Sequence, residues 1–310
     1  MCKMISTVGM SREDWLQLRK SGIGGSDAGA ICGLNPYSSP MSVYRDKTCE
    51  GVTNVDNEAM RQGRDLEDYV ARRFMEATGL KVRRSNMLYR SDEYPFMIAD
   101  IDRLIVGEDA GLECKTASAY NADKWKDGKV PMHYILQAAH YMAVTGRKAW
   151  YIAVVILGQE FKFARIERDD AMISNLTAIE EAFWKSYVVP QIMPPPDGSK
   201  VCDEVLELYF HKARKASTVP LIGFDEKLNR RTELLNQIAA LEKEQKQIEQ
   251  EVKLFMQDNE IATSDHYRVT WSNVETARLD TKRIKAEKPE VYQDFVKVTS
   301  SRRLTIKAAS

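Results

Sequence analysis

The chain has 310 residues, of which 44% are hydrophobic, so it can bury the core of one large domain and carry an appendage. Its 45 basic and 45 acidic side chains balance, which excludes the overall positive charge of many DNA-binding domains, so a nucleic-acid partner must be argued from local patches. Five scattered cysteines without a CxxC pair disfavour disulfides, a zinc site or an iron–sulfur cluster. No apolar run approaches the ~20 residues of a membrane span, and no signal core begins the chain, so we expect a soluble intracellular protein.

The first part of the chain predicts helices around a glycine-rich stretch. Residues 11–20 predict a short helix. Residues 21–33, SGIGGSDAGAICG, predict a turn whose backbone amides are open to a ligand, or only an ordinary connection between helices. Apolar residues recur at helical spacing from Asn57 to Thr78, and Gly79 supplies a stop, which predicts a packed helix.

The middle of the chain predicts a sheet. Strand-like runs occupy residues 81–90, 95–106, 110–118, 149–157 and 160–167. The first three are closely spaced and predict a meander, while residues 133–145 have helical period and are capped by Gly146. Helix, strands, helix and strands in this order predict an α/β (α+β) fold with a central mixed sheet flanked by helices.

The C-terminal part predicts an appendage. A helix near residues 170–188 ends where prolines begin, so we place a globular domain at 1–192, a linker at 193–223, and a helical arm with a small α/β tail at 224–310. The arm holds a heptad repeat formed by Leu234, Ile238, Leu241, Gln245, Ile248, Val252 and Phe255. It either joins protomers or docks a partner in coiled-coil fashion, or it packs against its own globular domain. Near its end, residues 267–272 predict a strand and residues 280–297 a helix.

The informative chemistry lies in IDRLIVGEDAGLECKTAS. Side chains alternate along a strand, so Glu113 and Lys115 share one face of the sheet and Cys114 points away. Pairing of neighbouring strands can bring Asp102 beside Glu113. Two carboxylates and the Cys114 carbonyl would form an all-oxygen site for Mg²⁺ or Mn²⁺. With Lys115 beside it, such a site suits phosphodiester hydrolysis, although a surface salt bridge between Glu113 and Lys115 is the alternative.

Two further polar residues lie on helix faces that are otherwise apolar. Glu67 shares its face with Val70 and Phe74, where a carboxylate is costly without a partner. A metal site would provide that partner, whereas a glutamate at a boundary would reach solvent instead. Gln137 is similarly placed on the next helix, and a glutamine alone indicates little.

Taken together, these motifs resemble the YqaJ-like viral recombinases, which include lambda-type exonuclease and belong to the PD-(D/E)xK nuclease superfamily. The resemblance runs from about Trp15 to Ile166. It rests on the motifs RKSGIGGS, GRDLE, ADIDR, GLECKT and QAAHYMAVTG, which follow one another in the family's order. The five motifs together are far more specific than any single one of them.

The resemblance implies a metal-dependent 5′-to-3′ exonuclease that resects double-stranded DNA ends for phage-type recombination in a bacterial cytoplasm. By this resemblance, Asp102, Glu113 and the Cys114 carbonyl bind metal, Lys115 positions the nucleophilic water, and the site is completed by Glu67 and Gln137. Arg19 and Ser26 match the positions that hold the 5′-phosphate of the DNA end. A guanidinium and a hydroxyl suit phosphate, although a solvated helix charge and a helix N-cap are the alternatives. The implied partners are a single-strand annealing protein and further copies of the chain, in a ring such as a trimer.

One position departs from the family pattern. Where the family often has a small polar residue two positions before the metal acid, this chain has Asp100, which could itself join the metal site. We prefer Asp102 because it fits the family's D-[GR] step. The competing functions are another PD-(D/E)xK endonuclease and a non-catalytic DNA-recombination scaffold whose arm recruits partners.

Overall fold

The computed structural model describes residues 2–50 and 57–307. The chain forms two compact units, with the boundary between His211 and Lys212. The first unit therefore extends past the predicted domain end at residue 192. The reason is a helix inside the predicted linker, Lys200–Tyr209, whose Cys202 and Val205 are buried together with Met41. Within the described ranges, no helix is long and apolar enough to cross a membrane.

The first unit contains eight strands and seven α-helices among its described residues. The strands are β1 Cys2–Ser6, β2 Val82–Arg84, β3 Met87–Ser91, β4 Ile98–Asp100, β5 Arg103–Ile105, β6 Ala110–Ala117, β7 Ala149–Ile156 and β8 Glu160–Glu167. The helices are α1 Arg12–Lys20, α2 Gly25–Ile31, α3 Pro40–Thr48, α4 Glu58–Thr78, α5 Met132–Thr145, α6 Asp170–Phe183 and α7 Lys200–Tyr209. A 3₁₀ segment covers Ala119–Gly128, and a π-helical turn, Trp184–Val188, extends α6.

A five-stranded sheet in the order β2-β5-β6-β7-β8 forms the centre of this unit. Strands β6 and β7 are parallel and the other neighbours are antiparallel, so the predicted mixed sheet is confirmed. Helix α4 packs Val70 and Phe74 against one face, while α5 lies over the other face with Met142 near Trp150. Both helices end at a left-handed glycine, as predicted.

The predicted meander is wrong. Each of the first two strand-like runs breaks in the middle, and the halves join different sheets, because β3 pairs with β1 on one side and with β4 on the other in a second, three-stranded sheet. The run 81–90 breaks between β2 and β3, at Asn86, whose φ is 51°. Asparagine tolerates this left-handed conformation, which redirects the chain between β2 and β3.

The glycine-rich stretch is also not an open turn. Its centre forms the buried helix α2, and the backbone amide of Gly24 is bonded to Asp27 Oδ2 at 2.9 Å. A Cβ on Gly25 would lie 2.5 Å from the Tyr141 ring, and one on Gly29 would lie 2.6 Å from His133. The glycines therefore allow α2 to pack closely against α5.

The second unit begins at Lys212 and is built around one long helix, α8 Asp225–Met256. The whole heptad repeat lies within this one continuous helix, and not in two helices of a hairpin. A hairpin follows, formed by β9 Ile261–Thr263 and β10 Arg268–Thr270. The last predicted helix is instead two short ones, α9 Thr281–Glu287 and α10 Pro289–Asp294, because Pro289 cannot continue α9.

Candidate active site

The centre of the site is set by the pairing of β5 with β6. Asp102 lies just before β5, and Arg103 pairs with Leu112 on β6. This register brings Asp102 Oδ2 within 2.8 Å of the Cys114 backbone amide, which donates a hydrogen bond to it. The same register places Asp102 beside the next carboxylate of β6, Glu113.

Glu113 is 5% exposed and anchored on one oxygen only. Its Oε1 accepts hydrogen bonds from Lys115 Nζ and Gln137 Nε2, each at 2.6 Å. Its Oε2 is buried and accepts no hydrogen bond from any residue that the structure describes. A buried carboxylate oxygen without a donor is costly, so this oxygen is a candidate ligand for a cation.

Repulsion between the carboxylates of the site also indicates a place for a cation. Burial raises the pKa of Asp102 well above its ordinary value, and the neighbouring Glu113 and Glu67 raise it further. Burial also raises the pKa of Glu113, against the opposing effect of Lys115. Carboxylates that repel one another out of contact with water are stabilised when a cation lies among them.

Lys115 and Gln137 hold Glu113 from two sides. The Lys115 ammonium lies 4.9 Å from the centre of the Tyr134 ring, which limits where the side chain can lie. Burial lowers the pKa of Lys115, but Glu113, Tyr134 and Asp102 outweigh it, so the pKa is raised and the lysine stays charged. Gln137 is 5% exposed and also lies 2.9 Å from the Tyr141 hydroxyl.

Glu67 reaches the edge of the same site from α4. Its Oε1 accepts a hydrogen bond from Arg103 Nη1, which also donates to the Asp102 carbonyl at 2.7 Å. Arg103 Nη2 bonds Asp68 Oδ1 at 2.5 Å, so one buried guanidinium ties α4 to the start of β5. Glu67 therefore has a protein partner in this structure.

The Asp100 carboxylate is hydrogen-bonded to helix α1 and not to β6. Its Oδ2 accepts a hydrogen bond from the Trp15 indole at 3.0 Å, whereas Asp102 contacts β6 directly. This contact gives Asp100 a role in holding α1. The geometry thus favours Asp102 over Asp100 as the acid next to Glu113.

The two residues assigned to the DNA end contact each other. Arg19 Nη2 lies 3.2 Å from the exposed Ser26 Oγ, and the guanidinium stacks 4.8 Å from the centre of the Trp15 ring. Below them, Lys47 Nζ lies 2.8 Å from Asp27 Oδ2 in an ion pair whose lysine is 1% exposed. Lys47 Nζ also donates to the Arg19 carbonyl at 3.3 Å, so this pair supports both α1 and the start of α2.

A cleft of about 620 Å³ connects these groups. Its lining includes Asp102, Glu113, Cys114, Lys115 and Glu67 as well as the basic residues Arg12, Arg19, Arg45 and Arg64. An acidic centre beside basic side chains is suited to a phosphate backbone held against a cation.

The residues present fit a divalent cation. In the described parts of the chain, no three His, Cys, Asp or Glu side chains are grouped so that they could hold a metal by themselves. The proposed ligand set contains only two side chains, Asp102 and Glu113, and takes its third oxygen from the Cys114 backbone. Glu113 Oε2, which no described residue pairs, and the all-oxygen donor set match what Mg²⁺ or Mn²⁺ prefers.

Sequence reasoning missed several supporting residues. Arg103, Asp27 and Lys47 are charged residues whose partners lie far along the chain or on another element, so no local pattern reveals them. Tyr134 occupies an ordinary position on α5. Two of these residues carried a signal, since Arg103 directly follows Asp102 in the motif ADIDR and Tyr141 lies in the motif QAAHYMAVTG.

Both the fold and the sequence of this chain are similar to those of known proteins. The fold of the described core is similar to that of LHK-Exo, an alkaline exonuclease from Laribacter hongkongensis, seen in a crystal structure with dAMP. The TM-score is 0.51 at 22% identity, over 64% of this chain and 98% of that one. A second structure of the same enzyme gives a TM-score of 0.49 at 21% identity, covering 64% and 97% of the two chains.

Residues 14–148 match the family described as the YqaJ-like viral recombinase domain. The chain is also 40% identical over 306 residues to the protein YqaJ of Bacillus subtilis (strain 168), covering 97% of this chain and 96% of that protein. This chain belongs to the YqaJ-like viral recombinase family, so the resemblance drawn from its motifs is confirmed.

Proposed function

We propose that the protein is a metal-dependent DNA exonuclease that resects double-stranded ends in the 5′-to-3′ direction during phage-type recombination. Membership of the recombinase family and a fold shared with an alkaline exonuclease support this class of enzyme. The observation that carries the proposal is Glu113, which is anchored through Oε1 by Lys115 and Gln137, while its buried Oε2 has no donor among the described residues.

Asp102, Glu113 and the Cys114 carbonyl would hold Mg²⁺ or Mn²⁺, which when bound neutralises charge on the phosphodiester and favours attack by water. Lys115 stays protonated beside Glu113, so it can orient the attacking water or stabilise the negative charge that develops on the phosphate. Gln137 holds the Glu113 carboxylate in position. Glu67, bound to Arg103, completes the acidic edge of the cleft.

Arg19 and Ser26 would bind the terminal 5′-phosphate. The guanidinium is fixed by the Trp15 ring and by the Ser26 hydroxyl, and its cleft is shared with Glu113 and Asp102. A group that binds the phosphate at the end of a strand sets which bond reaches the carboxylates, and thereby makes cleavage depend on an end.

The test uses linear duplexes with a 5′-phosphate or a 5′-hydroxyl and a covalently closed circle of the same sequence, each in Mg²⁺ and in chelator. We expect degradation of the linear duplexes in Mg²⁺ only, faster with the phosphate, and release of nucleotides from 5′ ends. Cutting of the closed circle would favour an endonuclease. Intact DNA in every condition would favour a scaffold.

In the cell, resected ends would be handed to a single-strand annealing protein, and the enzyme would act as a ring-forming oligomer such as a trimer. Both parts of this picture are what the resemblance of the sequence motifs to the family implies. Size measurement of the purified protein, alone and mixed with a candidate annealing protein, tests them.

A further inference from the structure

Helix α8 carries an apolar stripe that is open to solvent. Leu234, Ile238, Leu241 and Ile248 are 42–64% exposed, although they recur at the four-and-three spacing of a coiled-coil seam. We call these four residues the seam. An exposed stripe with this spacing fits the apolar face of another helix.

The charges around the seam are sorted by sign. Within residues 242–253, all four glutamates occupy the positions that flank a heptad seam: Glu242, Glu244, Glu249 and Glu251. The three lysines of the same stretch, Lys243, Lys246 and Lys253, occupy positions on the outer face. Lys246 reaches Glu249 at 3.3 Å, but this pair is exposed and contributes little, so the flanks remain acidic.

This arrangement of charges disfavours pairing of the α8 seam with α8 of a second copy of the chain. In a parallel pair of identical helices, Glu244 of one chain would face Glu249 of the other. In an antiparallel pair, the glutamates on each side would face one another. Like charges across a coiled-coil seam disfavour pairing, so either orientation works against self-association.

The acidic flanks also oppose nucleic acid, since the four glutamates would repel phosphate along residues 242–251. We propose that the α8 seam is a docking surface for an amphipathic helix of another protein, whose apolar stripe is flanked by lysine or arginine. Such a helix would cover Leu241 and Ile248 while its basic residues face the four glutamates. This docking surface goes beyond the proposed exonuclease activity.

The test measures binding of two synthetic amphipathic peptides to the full-length protein by fluorescence anisotropy. The peptides have the same leucine and isoleucine seam and differ only in lysine or glutamate at the flanking positions. We expect the lysine peptide to bind about tenfold or more tightly than the glutamate peptide, with a preference that weakens in high salt. Equal binding of the two peptides, tighter binding of the glutamate peptide, or binding of neither would overturn the proposal.

Two double variants with the same change in net charge test whether the preference for the lysine peptide depends on charge beside the seam. Glu244→Gln/Glu249→Gln removes charge beside the seam, whereas Asn236→Lys/Gln250→Lys adds it on the outer face. We expect only the first to weaken binding of the lysine peptide. Leu241→Asp, at a position 64% exposed in the helix, should abolish binding without unfolding α8, as checked by circular dichroism.

If the seam instead binds a second copy of the chain, the protein will self-associate in a concentration-dependent way, and Leu241→Asp will remove this self-association. That result would also overturn the proposal. Nuclease activity on short duplexes without any partner should be the same in wild type and in all three variants. Failure of the docking proposal is therefore separable from failure of the proposed activity.

Discussion

Gln137 Nε2 lies 2.6 Å from Glu113 Oε1 and thereby joins helix α5 to strand β6 at the acidic centre of the cleft. Because Lys115 occupies the same oxygen, Oε2 is left as the group available to a ligand. The position of one carboxylate thus depends on residues from two elements.

Asp102→Asn should abolish cleavage while raising the stability of the metal-free protein by about 1 kcal/mol, as often happens when charge repulsion at a functional site is removed. Asparagine can still accept the Cys114 amide bond but no longer repels Glu113. The measurements are turnover on a linear duplex and thermal unfolding in chelator. Asp100→Asn is the matched control, expected to keep cleavage. If Asp100→Asn is inactive and Asp102→Asn active, Asp100 is the metal acid.

Lys115→Met should reduce turnover by roughly three orders of magnitude because it removes the charge beside the reacting phosphate. Mg²⁺ binding should persist, since Asp102 and the Cys114 carbonyl do not depend on the lysine. Calorimetric titration with Mg²⁺ separates the two effects. A variant that loses metal affinity and recovers full turnover at high Mg²⁺ would contradict the role given to Lys115.

Arg19→Ala should remove most of the preference for phosphorylated ends, because a charge-assisted hydrogen bond is worth about 1.5–3 kcal/mol. The rates to compare are those on matched duplexes with 5′-phosphate and 5′-hydroxyl ends. Arg61→Ala, at a solvent-exposed position of α4, serves as the control and should keep the preference. An unchanged preference in Arg19→Ala would place the end-binding group elsewhere.

Lys47→Met should destabilise the protein by about 3–5 kcal/mol, because it leaves the Asp27 carboxylate without its buried partner. Burial raises the pKa of Asp27, but Lys47 and Arg19 outweigh it and the pKa is lowered overall. The pair therefore stabilises the fold above the ordinary pKa of aspartate and loses this effect as pH falls through the lowered value, below about pH 4.

Thermal unfolding of wild type and Asp27→Asn across acidic pH checks this sign. The wild type should be more stable than the variant near neutral pH, and this difference in stability should disappear as the solution is acidified. A difference that stays constant down to the lowest pH would mean that Asp27 is not ionised in the folded protein.

Gly25→Ala should cost about 1–3 kcal/mol of stability and also lower turnover, because the added methyl group would overlap the Tyr141 ring. Tyr141 is bonded to Gln137, so its displacement would disturb Glu113. Gly24→Ala is the matched control, since the nearest atom to its Cβ would be 3.7 Å away. Equal loss of activity in both variants would indicate a general defect of α2.

Local patterns were sufficient for much of the fold. The apolar period and the glycine stops of α4 and α5 are properties of a few turns of helix, so they could be recognised in the sequence. The same holds for Glu113 and Lys115, because alternation along one strand already puts them on one face. The motifs also identified the family.

Other features depend on contacts between distant segments. The split of residues 81–90 and 95–106 between two sheets depends on which strands pair, which the local alternation does not specify. The motif resemblance favoured Asp102 over Asp100, but only the tertiary structure puts Asp102 beside the Cys114 amide, through the register of β5 on β6, and Asp100 beside Trp15. The partners of Glu67 and Asp27 are likewise chosen by packing of α4 and α3, because an ion pair forms wherever the tertiary fold brings the charges out of water together.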